Sequence, residues 1–298
     1  MLIGLALSGG ALRGAAHIGV LKALREAGIP VHIVSGTSAG SLVGGFLAAG
    51  RSVEDMEAEA LALDDRLLDF NSTGAAKAVV GSVFGRRTAF GGVFKGNEVL
   101  KLARRMTRGI NVKDAPVPVA LCAVDLNSGE TVYFTNVGID SRPGEYLIVN
   151  DADMALAITA SCTIPAVFVP RPFGEMSLVD GGVTDYVPVK ILRDMGADFV
   201  IAVDLGREAG KGGLPDNLLE VSSRSLDLMG RRLAENSLAY ADAVIAPIVS
   251  DIGLFDFKRA GECIARGYKA AKRLVPTIKM QLLRGDLQRK PTYSAACR

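Results

Sequence analysis

VHIVSGTSAGSLVGGFLAA, residues 31–49, is the stretch that decides the fold class of this chain. It opens with a short apolar run, continues through a turn rich in glycine and hydroxyl residues, and ends in a segment that predicts a helix. Residues 2–27 show the same order, with a strand at 2–7, a turn at 8–14 and a helix at 15–27. Strands that alternate with helices at this pace predict an α/β fold with a parallel sheet covered on both faces.

The rest of the chain continues this pattern, and no repeat or low-complexity linker divides it. We therefore predict one domain over residues 1–298, with a mainly helical C-terminal part. Helices are predicted at 53–63, 97–107, 153–160 and 189–195, and strands at 177–179, 199–203 and 243–248. Two further strands, 117–124 and 131–134, are predicted to form a hairpin.

Charge and cysteine content narrow the function classes. The 34 basic and 32 acidic residues leave a formal net charge of +2, which gives no overall field for nucleic acid. The four cysteines, at positions 122, 162, 263 and 297, lie far apart and form no C-x-x-C pair, so neither a zinc site nor a disulfide framework is predicted. We expect no metal, no cofactor, no nucleic-acid partner and a reducing cytoplasmic location.

Two apolar stretches bear on membrane association. The first seven residues resemble the core of a signal peptide but lack its basic segment, so they predict a buried strand. Residues 29–50 are nearly long enough to cross a bilayer, but Pro30 and many serines and glycines interrupt them. We expect no membrane-spanning segment, while peripheral contact at the inner membrane surface stays open.

The sequence Gly36-Thr-Ser-Ala-Gly40 matches G-x-S-x-G between a predicted strand and a predicted helix. A nucleophilic serine has to sit on a sharp strand-to-helix turn, and glycines two residues before and after it remove Cβ atoms that would clash there. The helix N-terminus then places its positive dipole end beneath the developing charge. We predict Ser38 as the nucleophile, with a helix-capping serine in a tight turn as the alternative.

The two histidines of the chain, His17 and His32, both precede Ser38. The α/β-hydrolase order of serine, acid and then histidine is therefore excluded. His32 lies in the strand that leads to the turn, and we expect it to pack there. His17 lies in the first turns of the opening helix, where a structural role is expected and a role in the site is the alternative. A carboxylate or a lysine is then the expected base.

Asp180 is the carboxylate that we select as the general base. A short apolar strand leads into it, and Gly181 and Gly182 let backbone or substrate approach closely. Active sites gather at strand ends of open parallel sheets. The alternative is a turn in which the aspartate side chain bonds its own backbone. Because unperturbed aspartate titrates near about pH 3.9 and histidine near about 6.5, the acid limb of the rate profile should lie well below that of a histidine-based hydrolase.

The turn at residues 9–14, Gly-Gly-Ala-Leu-Arg-Gly, follows the first strand. Successive backbone amides in such a turn make an anion-binding nest. A phosphate-binding P-loop would need a lysine, which the turn lacks, and a dinucleotide fingerprint would need glycine at Ala11 and an acid after the next strand. An oxyanion hole for an ester carbonyl fits the turn better. A nucleotide-binding module is the remote alternative.

These three motifs, in this order, resemble the patatin-like phospholipase family, especially its small bacterial members. The resemblance covers the core at about residues 2–205, with a looser match at 256–260 and 267–268. Three ordered motifs are more specific than any one of them. The segments beside the motifs that are also similar to the family are 13–21, 161–165, 178–183 and 196–203.

The resemblance implies a three-layer α/β/α patatin-like fold with a mainly parallel central sheet. It also implies a dyad of Ser38 as nucleophile and Asp180 as general base. The implied oxyanion donors are the backbone amides of Gly9, Gly10 and Ala11, and the supporting motif positions are Arg13, Gly14, Gly36, Gly40, Gly181 and Gly182. Two departures from the family pattern bear on these roles, because Ala11 replaces a frequent glycine and Asp185 a frequent asparagine.

The implied activity is that of a serine esterase, a lipid acyl hydrolase that cleaves carboxylic esters of phospholipids or lysophospholipids through an acyl-enzyme. An acyltransferase or thioesterase with the same dyad and a noncatalytic lipid-binding regulator are the alternatives. The expected partner is a lipid or another acyl ester, and the motifs leave the oligomeric state open. Residues 75–94, apolar and with Arg86 and Arg87 in their middle, are a candidate entrance for acyl chains, with a packed loop and helix as the alternative.

Overall fold

A computed structural model describes residues 1–73, 91–206 and 218–284 of the chain. Within these ranges, the central sheet has nine strands, and β3 and β7 form a second, two-stranded sheet. The strands are β1 (Ile3–Leu7), β2 (Ile33–Thr37), β3 (Gly92–Phe94), β4 (Val119–Asp125), β5 (Thr131–Thr135), β6 (Tyr146–Val149), β7 (Ala166–Phe168), β8 (Arg171–Phe173), β9 (Met176–Asp180), β10 (Phe199–Val203) and β11 (Ala243–Ile245).

The central sheet is mainly parallel, as predicted. Its strands follow the order β11-β10-β1-β2-β4-β5-β6, and β9 pairs with β4 and β8 beside this path. The pairs β1–β2, β1–β10, β10–β11, β2–β4 and β5–β6 are parallel. The pairs β4–β5, β4–β9 and β8–β9 are antiparallel, and the first of these confirms the predicted hairpin.

Helices cover both faces of the sheet, which gives the predicted three-layer α/β/α fold. Successive strand residues point to opposite faces. Leu5 and Ile201 therefore belong to the core shared with α1, α2 and α8, whereas Ala6 and Ala202 belong to a second core shared with α6 and α7. The helices of the described ranges are α1 (Ala15–Glu26), α2 (Ala39–Ala48), α3 (Val53–Leu61), α4 (Asn97–Thr107), α5 (Met154–Ser161), α6 (Val189–Asp194), α7 (Leu218–Leu238) and α8 (Ala260–Arg284).

The C-terminal helix α8 packs along α1, and two glycines allow the close contact. A Cβ atom on Gly19 would lie 1.9 Å from the carbonyl oxygen of Ile264, and one on Gly267 would lie 1.9 Å from that of Ala16. No side chain tolerates such a distance, so any larger residue at either position would push the helices apart. The contact holds α1, and with it the turn that precedes α1, against the C-terminal part of the chain.

Most of the predicted elements are present, and the helix at 97–107 and the strand at 199–203 have the predicted bounds. The predicted strands did not include β6, β7 or β8. The candidate entrance at 75–94 lies outside the described residues except for its end, which forms β3. None of the helices in the described ranges has the length and apolar character needed to cross a bilayer.

Candidate active site

Ser38 lies on a sharp turn between β2 and α2. Its backbone angles, φ 53° and ψ −121°, belong to a region that residues with a side chain rarely adopt. The turn is tight, because a Cβ atom on Gly36 would lie 2.3 Å from the carbonyl oxygen of Gly40, and one on Gly40 would lie 2.2 Å from that of Leu7. The Ser38 side chain makes no capping hydrogen bond to α2. The alternative prediction of a helix-capping serine is therefore wrong.

A buried chain of hydroxyl groups holds this turn. The amide of Ser38 donates to Ser161 Oγ at 2.9 Å, Ser161 Oγ lies 2.7 Å from Ser41 Oγ, and Ser41 Oγ donates to the carbonyl oxygen of Gly36 at 2.7 Å. Because Ser41 gives its only proton to Gly36, Ser161 has to donate to Ser41 while it accepts from Ser38. Each hydroxyl group of this series thus has both a donor and an acceptor. Together the hydrogen bonds join the Ser38 amide to the carbonyl oxygen of Gly36 across the turn.

Asp180 ends β9 and begins the tight turn formed by the following two glycines. Its Oδ1 atom accepts from the amide of Gly182 at 2.8 Å, so the self-bonding turn named as the alternative is present and fixes the side chain. A Cβ atom on Gly181 would lie 2.4 Å from the carbonyl oxygen of Cys122. The turn therefore lies directly against β4, and only 6% of Asp180 is exposed.

The strand pairing brings the Ser38 and Asp180 turns together. β5 occupies one edge of β4, so β2 and β9 share the other edge, one after the other. Thr37, the last residue of β2, pairs with Cys122, and Asp180, the last residue of β9, pairs with Ala123. Because β2 runs parallel to β4 and β9 runs antiparallel to it, the two strands meet end to end at these neighbouring positions.

Three consecutive residues, the last residue of α5 and the two that follow it, contact both turns. Ser161 accepts from the Ser38 amide, and the Cys162 thiol donates to the Ser38 carbonyl oxygen at 3.2 Å. The carbonyl oxygen of Thr163 accepts from the Asp180 amide at 2.9 Å. Burial, with the negative charge of Asp180, raises the pKa of the Cys162 thiol well above its usual value, so this cysteine is a neutral thiol. The segment fixes Ser38 and Asp180 relative to each other.

The segment after the Asp180 turn is also bound to β2. Thr37 Oγ1 donates to the carbonyl oxygen of Asp185 at 2.7 Å, and Ser35 Oγ donates to that of Pro188 at 2.6 Å. The Asp185 carboxylate accepts from Tyr133 at 2.5 Å and from Ser237 at 3.3 Å. Burial raises the pKa of Asp185, while these two hydrogen bonds favour its charged form. Asp185 thus binds β2 through its backbone carbonyl group, while its carboxylate is bound by Tyr133 and Ser237.

In the glycine-rich turn after β1, one of the three predicted oxyanion donors is already engaged by another residue of the chain. The Gly9 amide donates its only proton to the carbonyl oxygen of Tyr186 at 3.1 Å, which removes Gly9 from the predicted donors. Within the described residues, the amides of Gly10 and Ala11 have no acceptor. Ala11 adopts φ 48°, so the residue that departs from the family pattern tolerates the left-handed turn.

The side chains of His17 and Arg13 make hydrogen bonds that hold this turn in place. His17 is fully buried, its pKa is lowered by burial to about 4, and its Nε2 atom lies 2.9 Å from the carbonyl oxygen of Ser8. A neutral imidazole that contacts a carbonyl must donate, so the Nε2 tautomer is present. Arg13 Nε donates to the carbonyl oxygen of Ile252 at 2.8 Å. His32, by contrast, accepts from the Ile3 amide at 3.0 Å, in the strand region.

Two cavities meet at Ser38. The smaller, of about 50 Å³, is lined by Ser38, Asp180 and the turn from Gly9 to Ala11. The larger, of about 120 Å³, is lined almost entirely by apolar residues, about half of them on α1 to α4, and also reaches Ser38. A hydroxyl group, a carboxylate and two amides that find no acceptor in the described part of the chain therefore surround the small cavity, beside an apolar one.

The sequence model of the patatin-like phospholipase family matches residues 5–193, which is more than half of the chain and includes all three motifs. The chain belongs to the patatin-like phospholipase family. It is 32% identical over 213 residues to an uncharacterised NTE family protein of Mycobacterium tuberculosis, with 70% of this chain and 50% of the relative covered. It is 31% identical over 208 residues to patatin-like phospholipase domain-containing protein 6 of Mus musculus, with 69% of this chain and 14% of the relative covered.

A solved structure supports the patatin-like fold. The crystal structure of VipD from Legionella pneumophila matches with a TM-score of 0.50 and 14% sequence identity, and covers 93% of this chain and 67% of VipD. At this identity, the similarity concerns the fold alone. The chain spans about half the length of the mycobacterial relative.

Sequence reasoning did not single out several residues of the site. Ser161 and Ser41 complete the hydroxyl chain, Thr37 binds the Asp185 carbonyl group, and Tyr186 accepts from Gly9. Ser161 lies in one of the segments that resemble the family, which was the signal available for it. Thr37, the variable position of the G-x-S-x-G motif, gave no such signal.

Proposed function

We propose that the chain is a serine hydrolase that cleaves carboxylic esters of phospholipids or lysophospholipids, with Ser38 as nucleophile and Asp180 as general base. The observation that carries the proposal is the convergence of Ser38, Asp180 and the Gly10–Ala11 amides on one small cavity. Membership of the patatin-like phospholipase family supports a lipid acyl ester as the substrate class. The adjoining apolar cavity supports the same class, because a fatty acyl chain needs such a surface.

In the proposed reaction, the Asp180 carboxylate takes the hydroxyl proton of Ser38 while Ser38 Oγ attacks the ester carbonyl carbon. The carbonyl oxygen becomes negatively charged, and the amides of Gly10 and Ala11 donate to it. The C–O bond to the alcohol then breaks, and the alcohol leaves with the proton held by Asp180. Water attacks the acyl-enzyme, Asp180 takes one of its protons, and that proton returns to Ser38 as the fatty acid departs.

The test compares the wild type with Ser38→Ala and Asp180→Asn on a short p-nitrophenyl ester and on a fluorogenic phospholipid. Each variant is expected to lose at least about 10³-fold in kcat, as removal of a nucleophile or its base does in serine hydrolases. Exposed residues of the same types give matched controls, and Ser225→Ala and Asp140→Asn should retain wild-type rates. Turnover that survives Ser38→Ala in the folded protein would contradict the proposal.

Two further measurements separate the alternatives. An alkyl fluorophosphonate should label Ser38 in the wild type and not in Ser38→Ala. Labelling with transfer of the acyl group to an added alcohol or thiol, in preference to water, would indicate an acyltransferase. Hydrolysis of acyl thioesters in preference to oxygen esters would indicate a thioesterase. Lipid binding with neither labelling nor turnover would indicate a noncatalytic lipid-binding regulator.

A further inference from the structure

The larger cavity follows one face of α2 inward from Ser38. The α2 residues that line it are Ala39, Leu42, Val43 and Phe46, at the spacing that places residues on one side of a helix. Ser38 precedes the first turn of α2, and Phe46 lies in its last turns. The cavity therefore leads from the predicted nucleophile along the length of α2.

Buried side chains line the cavity where α2 comes to its last turns. Phe46 is 6% exposed, and Met56 and Ala60 of α3, which are 1% and 7% exposed, line the same cavity. The carboxylate among the lining residues, Glu59, is paired with Arg105 of α4. Its charge is therefore engaged at the wall, and the remaining surface at this end is apolar.

The length and the volume of the cavity set limits on what it can hold. Eight residues separate Ser38 from Phe46, which is about 12 Å at a rise of about 1.5 Å per residue. An extended chain advances about 1.2 Å per bond, so this length matches about ten carbons. A cavity of about 150 Å³ holds benzene, so the present 120 Å³ corresponds to about five or six carbons. A membrane lipid chain that spans half of a hydrocarbon layer about 30 Å thick is longer than either limit.

We propose that this cavity selects short to medium acyl chains, of about six to ten carbons, and that Phe46 sets the upper limit. The inference rests on the proposed function, since it places the acyl group of the ester in the cavity while the carbonyl carbon lies at Ser38. It narrows the phospholipid and lysophospholipid esters of that proposal to those with short or medium acyl chains. Within the limit, each added methylene is buried against apolar side chains. Burial of one methylene group corresponds to about a fourfold gain in kcat/KM when it is realised in the transition state.

The test measures kcat/KM for p-nitrophenyl esters from butyrate to palmitate, below their micellar concentrations. For the wild type, kcat/KM is expected to rise about fourfold per methylene to an optimum at octanoate or decanoate and to be at least tenfold lower for palmitate. Phe46→Ala and the milder Phe46→Leu should move the optimum to longer chains. Ala60→Leu, which fills the same end, should move it towards butyrate. Phe173→Ala, a large-to-small change at a residue that does not line the cavity, should leave the optimum in place.

Two outcomes would overturn the inference while the proposed function stands: an optimum at palmitate in the wild type, or an optimum that neither Phe46 variant nor Ala60→Leu moves. Binding of free fatty acids to Ser38→Ala, measured by calorimetry, covers the case in which no ester is hydrolysed. Octanoate binding that Ala60→Leu abolishes would then support the cavity although the proposed function fails. Equal binding of octanoate and palmitate, or no binding of either, would overturn the inference as well.

Discussion

The backbone of Ser38 is strained by its side chain. Its φ of 53° lies in a region where non-glycine residues cost about 1–3 kcal/mol, and such conformations persist only where the surroundings enforce them. Here the surroundings are the close contacts of Gly36 and Gly40 and the hydrogen bond from the Ser38 amide to Ser161. In this conformation Ser38 lines both cavities, and its hydroxyl group does not cap the N-terminal end of α2.

The strain gives a stability prediction at this residue. The free energy of unfolding of Ser38→Gly should be about 1 kcal/mol higher than that of Ser38→Ala, because glycine adopts positive φ without the steric cost. This difference already includes the larger entropy that glycine gains on unfolding. Urea denaturation of the two variants measures the difference. At Ser177, in the ordinary backbone of β9, the order should be reversed, with the glycine variant the less stable. A Ser38→Gly variant less stable than Ser38→Ala would contradict the strain.

The residues of the site differ in how far the sequence predicts them. Gly36, Gly40 and Gly181 follow from local sterics, since a Cβ atom at each would meet backbone within 2.4 Å, and a short motif records that requirement. The hydrogen bond from the Ser38 amide to Ser161 joins residues that are 123 positions apart in sequence. No periodic pattern predicts it, so it is seen only in the folded chain. The engagement of the Gly9 amide by Tyr186 is of the same kind.

At the scale of elements, the segment of Ser161 to Thr163 joins the ends of β2 and β9. It begins at the last residue of α5, and its three residues contact the Ser38 amide, the Ser38 carbonyl group and the Asp180 amide. A change within it therefore acts on both predicted catalytic residues without touching substrate at the small cavity.

Ser161→Ala tests this role. Loss of the hydroxyl leaves the buried Ser38 amide without an acceptor and Ser41 without its donor, so the free energy of unfolding should fall by about 1–3 kcal/mol. Because the Ser38 turn loses its support, kcat should fall by about tenfold or more while KM changes little. Urea denaturation and ester kinetics measure the two effects, with Ser225→Ala as a surface control. Wild-type kcat in a destabilised Ser161→Ala would assign the residue to stability alone.

Physical reasons account for three of the strands that the sequence did not predict. β8 carries Pro172, which removes a backbone donor, and it is tolerated because β8 pairs only with β9 at an edge of the sheet. β3 and β7 have three residues each and pair with each other, too short for a periodic signal. The α/β alternation at 2–49, in contrast, has apolar strands, glycine turns and helices of full length, and the structure has the predicted elements there.

At the scale of the whole molecule, the turn after β1 depends on distant parts of the chain. His17 on α1 donates to Ser8, Arg13 binds the carbonyl group of Ile252, and the Leu12 amide donates to the carbonyl group of Leu254. α8 in turn packs on α1 through Gly19 and Gly267. The C-terminal part therefore supports a motif that lies within the first 14 residues, which no local pattern predicts.

The buried imidazole predicts how acid destabilises the molecule. Burial lowers the pKa of His17 from 6.5 to about 4, so as pH falls the unfolded chain takes up this proton before the folded chain does. Stability is therefore lost as pH decreases from about 6.5 to about 4, by up to about 3 kcal/mol for a shift of this size. His17→Gln retains a donor and does not titrate, so its unfolding free energy should fall less over this window. Parallel pH profiles for the two proteins would contradict this account.

β2 and β9 meet end to end on β4. The proposed activity therefore depends on the register in which these strands pair. Side chains alternate between the faces of a sheet, so a slip of β9 by one residue would turn Asp180 away from Ser38 and present a neighbour instead. The close fit of Gly181 against the Cys122 carbonyl group opposes a slip in the direction that brings Asp180 to this place, because Asp180 would bring a Cβ atom there. With Asp180 as the base, a chain with β9 in the shifted register would keep its helices and most of its sheet but would lose turnover. A measurement of activity would then distinguish the native register from the shifted one, whereas a measurement of secondary-structure content would not.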